Sequence, residues 1–492
     1  MLFNSLNFIV FLFVVVIIYY LLPHNTWRKV FLLGASYYFY ACFELTMLPI
    51  LLAVTGVAYG YGRVREKLLI LKRVQNEDND DNQHNGIVFL AITIVLLLLP
   101  LLAFKYIDFL MASTADMLSL ASLTVEMPDF ELFLPIGISF YTFMAVGYVV
   151  DVYKGKVPVE KNLLDFALFV GFFPQIASGP IGRAGQLIPQ LKEKQPLLYK
   201  NLSAGVKMML WGFFMKLVVG DRAGIYVDTV FGNYMHHNGM SLMLATFMYT
   251  IQIYCDFAGY SLIAIGAART MGIELMENFR RPYFATSVAD FWHKWHISLS
   301  SWFRDYVYFP CGGSRCSKPK MYRNLMITFL VSGLWHGAAY NFILWGGYHG
   351  VNQILDRLLR PTRDKVRNIL HIGDESNVRR VLDIFITFCL VAYGWMLFYA
   401  PNIQFIVDVT VGYFNFGKPY IHQTTIFFFG IGFAFLLLKD YKDEYLSDKV
   451  TAFGQKYPKV SVVCNYLKYA LLSTLIVWIG VLGGGQFIYF KF

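Results

Sequence analysis

The sequence predicts an all-α membrane protein that crosses the bilayer many times. Of its 492 residues, 57% are apolar and only 15% are charged, whereas about 25% of the residues in soluble globular domains are charged. Several windows of about 17 to 25 residues carry almost no charge, and a helix of that length can span a bilayer. The net charge of +10 comes from basic residues in short loops between apolar runs. This is the positive-inside pattern, and no basic domain indicates nucleic-acid binding.

The N-terminal third is predicted to hold five apolar helices. The first has no basic leader and no small-residue cleavage site, so we expect a retained helix rather than a signal peptide. A helical hairpin turns near Glu44, and the strongly basic loop at 63–73 is expected in the cytoplasm. The predicted helices cover about 2–22, 30–42, 45–62, 86–104 and 132–152.

A segment broken by glycine and proline follows at 169–180, and it contains Gln175 and Ser178. Basic loops flank it on both sides, so the simplest topology is a re-entrant segment that enters and leaves on the cytoplasmic face. Irregular backbone at membrane depth is tolerated only where protein buries it. We therefore expect this segment to lie in the protein interior.

Two further spans are predicted at about 203–221 and 241–267. The second contains Asp256, and a carboxylate inside a membrane helix needs a partner or water. The six cysteines form no disulfide framework, and Cys311 with Cys316 lacks the other ligands of a zinc site. We expect no bound metal and no tightly bound cofactor.

The segment from Phe291 to Phe309 has a different pattern. Its large aromatic residues recur at intervals of three and four, which predicts one amphipathic helix along the cytoplasmic interface or dipping into it. The tryptophans, including Trp295, fit interfacial anchors. His296 lies beside the aromatic stripe, where a role in donor binding or catalysis and simple packing are both open.

His336 lies in an uncharged run from Asn324 to Trp345 that begins directly after Arg323. At helical rise it is about 18–20 Å from that arginine, near the middle of a ~30 Å hydrocarbon layer. A histidine at this depth indicates a functional site, the alternative being a packing residue bonded to a neighbouring carbonyl. We take His336 as the reactive centre.

Helical spacing makes two predictions about the surroundings of His336. Ser332 and Tyr340 should lie on the same helix face as His336. Gly333 and Gly337 form a small-xxx-small pair that would let a neighbouring helix approach closely.

The remaining chain completes the membrane domain. His349 is predicted near the end of a second short helix, close to the interface. Spans at about 381–400, 424–439 and 466–488 bring the total to about 11–13 transmembrane helices, with both termini outside.

No catalytic triad, Walker loop, Rossmann fingerprint or metal cluster stands at recognisable spacing. A lone histidine in a membrane cavity suits general-base activation of a hydroxyl that attacks an acyl group. It suits a proton relay in a transporter equally well. Reasoning from the residues alone does not separate these two functions.

Six ordered motifs carry a resemblance to a known family. They are residues 1–5 (MLFNS), 173–180 (FPQIASGP), 256–261 (DFAGYS), 277–283 (ENFRRPY), 291–298 (FWHKWHIS) and 333–338 (GLWHGA). Together they resemble the membrane-bound O-acyltransferase (MBOAT) family, and within it the AlgI-like branch of alginate O-acetyltransferase type. The likeness runs from the first residues to about Gly350. The chain departs from the branch at Leu262, where many relatives are acidic, and at Cys311, where leucine is usual.

The resemblance implies a single membrane domain over residues 1–492. It would comprise N-terminal helices (1–152), a catalytic core (163–350) and C-terminal helices (381–492), arranged around a thin centre that funnels reach from both faces. The resemblance gives His336 the catalytic role and His296 a supporting one. Substrate-binding roles are expected for Asp256, Gln175, Ser178, Trp295, Tyr340 and Asn341.

The function implied is O-acetylation of an exported or cell-wall polysaccharide from the bacterial inner membrane. Acetyl-CoA would be the cytoplasmic donor, and a periplasmic or extracellular partner, of SGNH type or similar to AlgJ or AlgX, would complete transfer. One alternative keeps the fold but moves D-alanine from a carrier protein to teichoic acid, as a DltB-like enzyme. Another alternative is a proton-coupled transporter or flippase. It predicts inverted repeats and paired intramembrane charges, and we find neither in the sequence.

Overall fold

The computed structural model of the chain confirms the all-α prediction. It describes residues 1–75, 80–120, 122–123, 134–177, 179–369, 373, 376–483 and 487–488, and gives the backbone alone for 71–75 and 80–84. These residues form α-helices joined by short turns, and none of them lies in a β-strand. They divide into two compact units.

The first unit comprises Met1–Gly205 and Ala264–Met276. Its helices are α1 (Leu6–Leu21), α2 (Asn25–Ala41), α3 (Leu48–Gln75), α4 (Asp80–Leu120), α5 (Ile138–Tyr153), α6 (Leu163–Gly171), α7 (Phe173–Ile176) and α8 (Ala184–Lys192). The chain turns between α2 and α3 at Glu44, which precedes a short 3₁₀ turn, as predicted. A largely buried ion pair of 2.6 Å between Lys29 and Asp165 joins α2 to α6.

The segment predicted to be re-entrant is broken at Phe172 into α6 and α7, of nine and four residues. At about 1.5 Å per residue, neither helix can cross a ~30 Å hydrocarbon layer. Every side chain from Asp165 to Ile176 is buried. The segment thus has the short length and the protein burial that a re-entrant element requires.

The second unit comprises Val206–Ile263 and Glu277–Phe492, so the boundaries fall inside two helices, α9 (Tyr199–Phe213) and α11 (Gly239–Thr270). A π-helical stretch, Phe214–Gly220, links α9 to α10 (Asp221–Phe231). The other helices are α12 (Val288–Lys294), α13 (Ile297–Phe303), α14 (Lys318–His336), α15 (Tyr340–Ile369), α16 (Asn377–Tyr399), α17 (Ile403–Gly412), α18 (Gln423–Tyr445), α19 (Ser447–Lys456) and α20 (Pro458–Ile479).

Among the described residues, seven helical stretches are long and apolar enough to cross a membrane. They are Leu45–Ile70, Asn85–Leu120, Tyr199–Phe231, Gly239–Thr270, Asn377–Tyr399, Gln423–Tyr445 and Pro458–Ile479. Four shorter apolar helices of 10–17 residues accompany them. The chain is thus a multi-pass membrane protein, while the single-domain organisation stays a prediction.

Candidate active site

His336 is the last residue of α14, which corrects the prediction that helical spacing continues from Ser332 through His336 to Tyr340. The helix stops because Gly337 adopts an extended backbone (φ −166°, ψ 154°). Tyr340 begins the next helix and is 44% exposed, so it does not continue the helical face of Ser332 and His336. The break places the imidazole at a helix end rather than within a regular turn.

The two helices around this break pack closely at the predicted glycines, Gly333 and Gly337, and Gly346 adds a third close approach. A Cβ atom on Gly333 would lie 2.2 Å from the carbonyl oxygen of Phe342, and one on Gly346 would lie 2.4 Å from that of Phe329. Gly333 and Gly346 therefore permit backbone contact between α14 and α15. Gly337 ends the helix and also faces α15, because a Cβ atom on it would lie 2.0 Å from the ring of Phe342.

The His336 side chain is 4% exposed and packs among aromatic rings. Its ring centroid lies 4.9 Å from Trp335, 4.9 Å from Trp345 and 5.2 Å from Phe398, each in an edge-on arrangement. The amide of Asn341 donates a 3.2 Å hydrogen bond to the backbone carbonyl of Phe398. Asn341 thus fixes one wall of the pocket around the imidazole.

A second imidazole, that of His349, lies on the far side of Trp345. It is 1% exposed and lies in the tenth position of α15, which corrects the prediction of a residue at a helix end near the interface. Its ring is 5.0 Å from Trp345 and 5.1 Å from Trp292. Within the described part of the chain, neither ring nitrogen of His349 has a hydrogen-bond partner. The sequence predicted a short helix that ends near His349, whereas α15 continues to Ile369 and His349 lies inside it.

His296 lies in a break between α12 and α13, which corrects the prediction of one amphipathic helix over Phe291–Phe309. The residue adopts a left-handed backbone (φ 43°, ψ 55°), a conformation that costs a non-glycine residue energy. The side-chain oxygen of Asn278 accepts hydrogen bonds from the backbone N–H and the hydroxyl of Ser298 and lies 3.0 Å from Nδ1 of His296. Because the N–H of Ser298 identifies this atom as an acceptor, Nδ1 carries the imidazole proton.

This hydrogen bond leaves Nε2 as the basic nitrogen of His296. Burial lowers the pKa of the imidazole to about 3, so the ring is neutral at physiological pH. Trp335 lies between the two histidines, 6.1 Å from the ring of His296 and 4.9 Å from that of His336. We call His296, Trp335, His336, Trp345 and His349 the histidine centre.

Trp295 does not lie at an interface, contrary to the reading of this residue as an anchor. It is 1% exposed, and its ring lies 4.6 Å from Trp395 and 4.9 Å from Phe279. An aromatic stripe stays on one helix face as long as the helix is unbroken. Because the helix breaks at His296, the Trp295 side chain leaves that face and points inward.

Asp256 has the partner that its position in a membrane helix requires. It forms an ion pair with Lys216, whose ammonium group also lies 2.7 Å from Asp221. The backbone N–H of Ile488 donates a 2.7 Å hydrogen bond to the other Asp256 oxygen. We call Lys216, Asp221 and Asp256 the lysine triad. Sequence reasoning missed Lys216, although a lysine inside the span at 203–221 was a signal.

Two predicted site residues remain, Gln175 and Ser178, and only Gln175 lies among the described residues. Gln175 is 1% exposed, and its amide donates a 3.1 Å hydrogen bond to the carbonyl of Pro180. Ser178 lies outside the described residues. In the part of the chain that the structure describes, no three His, Cys, Asp or Glu side chains are grouped to hold a metal ion.

Comparison with known proteins identifies the family. The family model described as "MBOAT, membrane-bound O-acyltransferase family" matches residues 159–392, a region that includes the histidine centre and the lysine triad. The chain is 36% identical to "Probable alginate O-acetylase AlgI" of Pseudomonas aeruginosa over 422 residues, covering 85% of this chain and 75% of that protein.

Two further relatives have other names. "Peptidoglycan O-acetyltransferase" of Helicobacter pylori is 31% identical over 413 residues, or 78% of this chain and 73% of that protein. "Teichoic acid D-alanyltransferase" of Bacillus subtilis is 30% identical over 284 residues, or 55% of this chain and 70% of that protein.

Proposed function

The chain belongs to the membrane-bound O-acyltransferase family, and we propose that it moves an acetyl group from cytoplasmic acetyl-CoA across the membrane for O-acetylation of a polysaccharide. The observation that carries the proposal is the placement of His336. This imidazole lies at a helix break, buried among aromatic rings, inside the region that matches the family.

His336 acts as the general base in this proposal. One of its ring nitrogens takes the proton of the acceptor hydroxyl while the hydroxyl oxygen attacks the thioester carbonyl of acetyl-CoA. A C–O bond forms, the C–S bond breaks, and the CoA thiolate leaves and takes up a proton. The products are an O-acetyl ester and free CoA.

The walls of the pocket assist this step. The rings of Trp335, Trp345 and Phe398 exclude water from the imidazole, so charge that develops there interacts more strongly with its surroundings. His296 acts in support through Nε2, its only basic nitrogen once Nδ1 donates to Asn278. Asn341 and Tyr340 orient the acceptor hydroxyl or the oxyanion in this proposal, and Asp256, Gln175, Ser178 and Trp295 are proposed to line the substrate path.

The relatives favour acetyl transfer over D-alanyl transfer. The alginate O-acetylase matches 85% of this chain at 36% identity, whereas the teichoic acid D-alanyltransferase matches 55% at 30% identity. A bacterial inner membrane is the location that we propose for the enzyme. It would work with an SGNH-type or AlgJ/AlgX-like partner that completes acetylation of an exported or cell-wall polysaccharide.

The test is acetyl transfer from radiolabelled acetyl-CoA in membranes that carry the wild-type chain or His336→Ala at matched expression. General-base assistance is worth about 10²–10⁴-fold, so label in glycan or partner should fall at least ~100-fold in the variant. His293→Ala serves as the matched control, because His293 is an exposed histidine in the same unit.

Transfer that survives His336→Ala unchanged would contradict the role of His336. Transfer of D-alanine from a carrier protein, with no transfer from acetyl-CoA by the wild type, would move the chain to the teichoic acid branch.

A further inference from the structure

An open groove of about 770 Å³ lies between α16 and α18, and none of its lining residues belongs to the histidine centre. Its polar end is formed by Asn377 and Arg380 at the start of α16 and by Lys449, which follows the end of α18. Its other end reaches Ile384 and Phe388. We propose that this groove binds an anionic phospholipid, with the headgroup at Arg380 and Lys449 and an acyl chain along the apolar lining.

The two cations of the groove are available to an anion. In the described part of the chain, neither Arg380 nor Lys449 forms an ion pair with a carboxylate, and Arg380 only lies over the ring of Tyr445 at 5.7 Å. The nearby carboxylates already have basic partners. Glu444 pairs with Arg281 and Lys294, Asp443 with Lys439 and Lys442, and Asp383 with Arg367 and Arg379.

The depth of the groove matches a lipid rather than a soluble anion. Both α16 and α18 are long and apolar enough to span the membrane, and the cations lie at the same end of the two spans. Arg380 and Phe388 lie about 12 Å apart along α16, so a lipid with its headgroup at Arg380 would extend an acyl chain toward Phe388.

The apolar lining remains exposed in the protein alone. Val381 is 64% exposed, Phe385 is 63% exposed and Tyr441 is 48% exposed. A free phosphate would satisfy the cations and leave this lining uncovered, whereas a phospholipid covers both. The basic stretch 357–380 also predicts the cytoplasmic side, where anionic lipids attract basic residues.

The inference does not depend on acyl transfer, so lipid binding is measured directly. The full-length chain is reconstituted in phosphatidylcholine vesicles with a phosphatidylglycerol that carries a photoreactive group in its acyl chain. After irradiation, labelled peptides are identified by mass spectrometry. We expect label on residues 381–388 and 441–449, displaced by unlabelled phosphatidylglycerol but not by added phosphatidylcholine or acetyl-CoA.

Two variants probe the two ends of the groove. Each basic residue near a membrane contributes about 1 kcal/mol, or about fivefold, to binding of anionic lipid, so R380Q/K449Q should lower labelling about 25-fold. The matched control R360Q/K365Q removes two exposed cations from α15 and should leave labelling unchanged. Val381→Trp fills the apolar part without changing the charge, and it should also lower labelling.

Three results would overturn the inference. Label spread evenly over the membrane helices would show that the groove has no specific occupant. Equal loss in R380Q/K449Q and R360Q/K365Q would show a general charge effect. Displacement of the label by acetyl-CoA would assign the groove to the acyl donor instead.

Discussion

The second unit buries two clusters of polar side chains, and each cluster offsets the cost of burial in a different way. The lysine triad consists of charges that compensate one another, and its Lys216 is 1% exposed. The histidine centre consists of imidazoles separated by indole rings, with His336 at a helix break. Phe257, which follows Asp256 in sequence, lies 4.6 Å from the ring of His296 and thereby connects the two clusters.

The difference indicates which cluster supports the fold and which supports the chemistry. Separating a buried carboxylate from the ammonium group that it holds is costly, so the triad contributes chiefly to stability. A neutral imidazole can take a proton from a hydroxyl in the transition state and return it afterwards. We expect substitutions in the triad to reduce stability and substitutions in the histidine centre to reduce the rate.

The largest expected effect follows Lys216→Met. This variant leaves Asp221 and Asp256 buried without their cation, which should cost about 3–5 kcal/mol of unfolding free energy. Thermal unfolding of the detergent-purified chain measures the loss. Adding Asp221→Asn and Asp256→Asn removes the uncompensated charge and should restore most of the stability. A Lys216→Met protein as stable as the wild type would contradict the role of the lysine triad in stability.

A smaller effect is expected where α14 and α15 touch. A Cβ on Gly346 would lie 2.4 Å from the carbonyl oxygen of Phe329, so Gly346→Ala should separate the helices and cost about 1–3 kcal/mol. Gly347→Ala is the matched control, because the nearest atom to its Cβ, on Leu330, is 3.9 Å away. The same unfolding assay compares the two, and equal stability would contradict the close contact.

The smallest effect is expected from Asn278→Ala, which removes the acceptor that holds His296. The hydrogen bond to His296 alone is worth about 0.5–1.5 kcal/mol, so kcat per folded molecule should fall up to about tenfold while KM for acetyl-CoA changes less. The hydrogen bonds with Ser298 and Ser261 are lost as well, which lowers stability. Asn278→Asp keeps an acceptor oxygen and should recover part of the rate. A wild-type kcat in Asn278→Ala would show that the orientation of His296 does not affect the reaction.

The sequence predicts the parts of this fold that depend on apolar length and helical rise. The helical character, the turn at Glu44 and the helix that carries Arg323 and His336 are all confirmed. The approach of a helix to Gly333 is confirmed as well, since small residues permit backbone contact wherever the partner lies. Whether His336 acts as the base stays a prediction.

The breaks in the helices could not be predicted, because tertiary contacts determine them. Gly337 is compatible with a helix, and nothing in the neighbouring residues requires its extended backbone. The left-handed conformation of His296 depends on Asn278, which lies 18 residues earlier in the chain. The ion pair between Lys216 and Asp256 joins residues 40 positions apart, so neither partner identifies the other in the sequence.

The most direct test of the account is the acetyl-transfer rate per folded molecule, measured in parallel for His336→Ala and Lys216→Met. We predict that His336→Ala loses at least ~100-fold in this rate without losing thermal stability. We predict that Lys216→Met yields less folded protein, while each folded molecule loses much less of its rate than His336→Ala does. Two results would contradict the assignment of the chemistry to the histidine centre. One is a His336→Ala protein that remains active, and the other is a loss of activity in His336→Ala that is fully explained by unfolded protein.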